Sequence, residues 1–118
     1  MSAIFLITVV AALSVAILRT VRAGADANVQ DILAQRAFLA AESGAQLAAN
    51  RIAPPTGTPS CGPMTFDLAS LGLPSCQATV SCRADTVDAQ TLYTLDAAGR
   101  CDSGGVLAER HVKVRLSS

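Results

Sequence analysis

The sequence predicts an α+β fold: a long N-terminal helix packed on a small antiparallel sheet that disulfides staple. Three observations carry this. Residues 3–18 form an unbroken apolar run, AIFLITVVAALSVAIL. Residues 19–52 hold no proline and keep a helical period. From Pro54 onward the period changes to two, and all four cysteines lie in that part. With 118 residues the chain has room for one head and no second domain. Nine basic residues balance nine acidic ones, which argues against a nucleic-acid partner and against a charged disordered tail. One histidine, one tyrosine and no tryptophan leave few side chains for acid–base work or base stacking. Mean hydropathy is +0.42, and the excess is concentrated at the front.

The front run contains two polar residues, Thr8 and Ser14, which can bond back to helix carbonyls. Its span is roughly 24 Å of helix, slightly short of a full membrane crossing, and snorkelling of Arg19 and Arg22 can extend it. No charge precedes the run, as a cleavable signal would require. A run of this length without charge also exceeds an ordinary core helix. A membrane-anchored helix that continues as something else fits best.

It continues as an amphipathic helix. Val29, Leu33, Ala37, Ala40, Ala41, Gly44, Ala48 and Ile52 recur on one face, with Asp26, Asp31, Gln35, Glu42 and Gln46 opposite. Ala37, Ala41, Ala45 and Ala49 make one row of small residues, and Ala40, Gly44 and Ala48 make a second. Such rows let another element come close. Ala37, Ala40, Ala41, Gly44 and Ala48 are therefore the expected helix–sheet packing residues. One helix is predicted over about residues 2–52, with Gly24 a soft point, and Pro54-Pro55 ends it. The expected division is residues 1–24 apolar, 25–53 amphipathic and 54–118 head, with 25–118 one globular domain.

After the proline loop, strands are predicted at Met64–Leu68, Gln77–Arg83, Thr91–Asp96 and Leu107–Leu116, separated by LGLPS, ADTVDA and CDSGG turns. Ala78, Val80 and Cys82 share one face. In the last strand Val112, Val114 and Leu116 face one way, and His111, Lys113 and Arg115 the other. About 65 residues with few large side chains cannot make a sufficient core alone, so the amphipathic helix is the expected cover.

Cys61, Cys76, Cys82 and Cys101 lack the close pairs of a zinc site, and no metal or cofactor is expected. They read as disulfides in an oxidising compartment. Four cysteines allow three connectivities; Cys61–Cys76 and Cys82–Cys101 is the preferred expectation. Arg19 and Arg22 would by the positive-inside rule lie in the cytoplasm, against the cysteines, which we weight more. Asp85, Asp88, Glu109 and His111 are scattered over turns and a polar face, so no catalytic residue is assigned and no small-molecule substrate is expected.

Several stretches carry a resemblance: SAIFLITVVAAL, QRAFLAAESGAQLAANRI, QATVSC, LYTLDAAGRC and ERHVKVRL, in this order. They resemble the MshP family of minor pilins, of the mannose-sensitive haemagglutinin pilus. The run from Arg36 to Gly44 is also similar to PilX-like minor pilins. The resemblance implies a type IV pilin-like fold and a subunit that primes assembly or modulates adhesion. It implies anchoring in a bacterial inner membrane, with the head in the periplasm, and an extracellular place once assembled. The partners it implies are other pilins, through a front helix carrying Ala3, Ile4, Phe5, Leu6, Ala11, Ala12 and Ala16. Two departures stand out. The basic leader of such precursors is not seen before Met1, so the expected start is a processed form or an internal methionine just past the cut. No acidic residue occurs before Asp26, whereas major pilins carry a glutamate near the mature N-terminus, which suits a minor or tip subunit or a truncated front. A type II secretion pseudopilin and a membrane-tethered periplasmic binding module are the alternatives.

Overall fold

The computed structural model describes residues 2–54 and 56–117. One helix, α1, spans Ser2–Ile52 and is followed by β1 (Met64–Asp67), β2 (Cys76–Val87), β3 (Gln90–Ser103) and β4 (Val106–Ser117). The class is α+β, as expected. α1 carries through Gly24 and stops at Ile52, with a last backbone bond from Ala53 to Ala49. Pro54 lies outside the helix; Pro55 falls outside the described residues. The chain forms two compact units, Met1–Asp31 and Ile32–Ser118.

In the second unit the four strands make one antiparallel meander in the order β1-β2-β3-β4. Alternation along β2 buries Cys76, Ala78 and Val80 and exposes Gln77, Thr79 and Ser81. β3 buries Tyr93, Leu95, Ala97, Gly99 and Cys101 on the same side. The 32–52 stretch of α1 covers that face with Leu33, Ala37, Ala40, Ala41, Gly44, Ala45, Ala48 and Ile52, all buried. Both rows of small residues thus land on the sheet. Leu68 closes one end of the core: its amide bonds to the Cys76 carbonyl, and Asp67 Oδ1 accepts from the Ala69 amide at 3.0 Å.

β2 and β3 are longer than their sequence pattern indicates. The ADTVDA stretch is not a broad turn: β2 runs to Val87, and only Asp88 and Ala89 turn the chain. β3 continues past Asp96 through Ala97, Ala98 and Gly99, whose weak strand preference hides it. The β3–β4 turn is Gly104-Gly105 alone. Val29 does not join the packing face; it lies in the first unit and is exposed. Helical periodicity continues there without a packed surface to match it.

Two-residue hairpins favour turns with positive φ at both central positions. Gly104 and Gly105 meet this at φ 59° and 83°, whereas Asp88 and Ala89 hold φ 49° and 65° with a Cβ on each. The left-handed region costs an L-residue roughly 1–2 kcal/mol. Ala89→Gly is therefore expected to stabilise the head by about 1 kcal/mol, raising its melting temperature by roughly 4–8 °C. Thermal melts of the two full-length proteins check this.

Candidate functional site

The first candidate surface is the front of α1. Among residues 3–18 every side chain is exposed, Ile4, Phe5 and Ile7 to more than two thirds. Polar groups in this stretch need no outside partner. Thr8 Oγ1 donates to the Phe5 carbonyl and Ser14 Oγ to the Val10 carbonyl, each at 2.8 Å. Thr20 Oγ1 repeats the pattern onto the Ile17 carbonyl. A helix that satisfies its own backbone and hydroxyls can enter a medium without water. The most apolar part of α1 has a mean hydropathy of 2.4, and the helix is long and apolar enough to cross a membrane. Ala11, Ala12 and Ala16 lie beside Val15 and Arg19 in a shallow groove along the rod. Ala3, Ile4, Phe5 and Leu6 stand on the same exposed stretch nearer the start.

The second feature is the seam between residues 32–52 and the sheet. A Cβ at Gly44 would meet the Ala78 Cβ at 2.5 Å. A Cβ at Gly99 would run into the Ala37 carbonyl oxygen and the Ala41 amide nitrogen, and would sit 2.9 Å from Ala41 Cα. Here the helix backbone rests directly on the strand backbone. Gly99 was not singled out from the sequence; the signal available was a lone glycine inside an alternating segment. Arg36 clips the seam at one side, its Nη2 donating to the Pro74 carbonyl at 3.3 Å.

The cysteines pair as Cys61–Cys82 and Cys76–Cys101, which corrects the preferred expectation. The register explains both. Cys76 stands directly opposite Cys101 in the β2–β3 ladder, with Cα atoms 4.1 Å apart, on the buried face. Cys82 lies two residues beyond Val80, the partner of Met64, so the chain leading into β1 brings Cys61 beside it at a Cα distance of 5.4 Å. The short predicted strands hid this, because they separated Cys101 from β3.

The outer face of the sheet brings together two of the scattered polar groups. His111 Nε2 lies 3.0 Å from Glu109 Oε1, and its Nδ1 lies 3.6 Å from Asp96 Oδ1. Lys113 Nζ approaches Asp96 Oδ2 at 3.6 Å. Asp85 instead pairs with Arg83, and Asp88 sits in the hairpin turn. These side chains are half-exposed on an open face, where such pairs contribute little and water is not excluded. Among the described residues no group of three His, Cys, Asp or Glu side chains is arranged to hold a metal.

Comparison of the chain with protein-family models, with curated proteins and with solved structures finds no match.

Proposed function

We propose that the chain is a minor pilin-like subunit of a type IV pilus of the mannose-sensitive haemagglutinin kind, acting in pilus assembly through its front helix. Before assembly residues 3–18 sit in the bacterial inner membrane with the head in the periplasm. On assembly the same residues move from lipid to the flanks of other pilin helices, and the head becomes extracellular. Lipid and helix flanks are both apolar, so the exchange is nearly neutral and close packing at Ala3, Ala11, Ala12 and Ala16 decides it. The observation that carries this reading is a bare apolar helix that bonds its own hydroxyls, continuous in sequence with a head holding two disulfides. The disulfides favour an oxidising side of the membrane for the head.

A photoreactive residue at Leu13 tests it in piliated cells. The expected product is a crosslink to other pilins, lost when assembly is blocked. Leu13→Arg is expected to penalise membrane insertion by about 3 kcal/mol and to remove the protein from the membrane fraction. Crosslinking to lipid alone, or four reduced thiols in the native cell, would overturn the proposal.

A further inference from the structure

β4 is an edge strand along its whole length of 12 residues. On the opposite edge β1 pairs only with Gln77–Val80 of β2. Alternate amide and carbonyl groups of β4 therefore face outward without a ladder partner among the described residues, an arrangement that invites another strand. The side chains on its two faces specify which one. On the inner face Val112, Val114 and Leu116 are only half-buried, because α1 covers β2 and β3 more fully than β4. On the outer face Glu109, His111 and Lys113 alternate with them, all exposed.

We infer that β4 pairs with β4 of a second copy of this chain, antiparallel, about a two-fold axis through His111. In this register Leu116 faces Val106 of the second copy and Val114 faces Ala108, each pair occurring twice by symmetry. Lys113 faces Glu109 of the second copy, again twice, so opposite charges meet on both sides of the axis, on which the two His111 side chains face each other. The aliphatic stem of Arg110 lies across from Val112. Neighbouring registers are worse. Centring on Arg110 sets two guanidiniums face to face. Centring on Val112 pairs Glu109 with Arg115, but it puts His111 against Lys113 and leaves Val106 without an apolar opposite. Apolar pairs on the inner face and the two Lys113–Glu109 pairs together thus favour the register centred on His111.

The geometry also fixes how the copies meet. α1 passes over Gly99 at Ala37 and Ala41 and reaches the Leu95 and Tyr93 cluster with Ala45, Ala48 and Ile52, so it runs antiparallel to β3 and parallel to β4. The two 32–52 stretches of a pair therefore run in opposite directions. The edge belongs to the head alone, and its pairing is independent of whether residues 3–18 join a filament.

Sedimentation of the full chain in detergent tests the pairing. Wild type is expected to self-associate reversibly. Glu109→Lys and Lys113→Glu each replace two attractive pairs with two repulsive ones and are expected to weaken association about tenfold. Mixed in equal amounts, the two variants restore attraction at both positions of a heterodimer, so association is expected to recover. Glu109→Gln and Lys113→Gln, which add no like charge to the head, are expected to weaken association about threefold, with only partial recovery on mixing, because the heterodimer regains one of the two Lys113–Glu109 pairs. A monomeric wild type at about 100 µM, where strand-edge pairs of micromolar affinity are mostly formed, would overturn the inference. So would variants that associate like wild type, which would place the contact in the front helix, or a mixture no better than its parts.

Discussion

Replacing Gly99 by alanine is expected to cost the head about 3 kcal/mol, the upper part of the usual range for overpacking. The added carbon falls on the Ala37 carbonyl oxygen, the Ala41 amide nitrogen and Ala41 Cα, all backbone atoms that no rotamer change can move aside. Either the helix lifts, opening the contacts of Ala37, Ala40 and Ala41, or β3 bends and strains its pairing with Ala78 and Arg110. A loss of this size lowers the melting temperature by roughly 12–24 °C in a domain of this length. Gly24→Ala is the matched control. Nothing lies within 4 Å of the Cβ it would add, so helix propensity alone acts and a gain of up to about 1 kcal/mol is expected. Thermal melts of both variants check the pair. A Gly99→Ala protein that melts within about 2 °C of wild type would mean that the helix does not rest on the strand.

Removing the Cys76–Cys101 bridge by Cys76→Ala with Cys101→Ala is expected to cost more. Its closure spans 25 residues, for which chain entropy gives about 3.5 kcal/mol. Both sulfurs are buried, so their loss leaves gaps worth roughly another 1 kcal/mol. The Cys61–Cys82 bridge spans 21 residues, with Cys61 exposed, and its removal is expected to cost about 3.3 kcal/mol with little cavity penalty. Denaturant melts of the two double variants give the order directly. Partial reduction gives it independently: with a mild reductant and alkylation, Cys61 and Cys82 are expected to be labelled first, and Cys76 and Cys101 only as the head unfolds. Small domains hold about 5–15 kcal/mol in all, so loss of both bridges is expected to leave no folded head at 37 °C.

The helix was legible because its signals are local: an apolar run, rows of alanine at four-residue spacing and a proline stop. β4 was legible because Val112, Val114 and Leu116 alternate with charged residues. The middle of β3 was hidden, since Ala97, Ala98 and Gly99 have weak strand preference and Gly99 answers a helix backbone that comes from far away in sequence. The disulfide pattern was hidden for the same reason: Cys101 could not be placed opposite Cys76 until β3 was known to reach it. The outer-face contact between His111 and Glu109 is a neighbour effect within β4, whereas Asp96 joins them only through the β3–β4 register. For the front helix, composition gives the medium it suits, and that part of the reading needed no tertiary information.

The seam where Gly44 and Gly99 meet Ala78, Ala37 and Ala41 has an evolutionary corollary. A lineage that drifts at the two glycines can only move toward greater bulk, and at the alanines glycine is the one smaller choice. Nearly every replacement there adds bulk and wedges the two layers apart. Variation tolerated by selection should therefore accumulate on the hairpin tips and the outward strand residues, leaving a narrow band of near-invariant alanine and glycine as the signature by which distant descendants could be recognised.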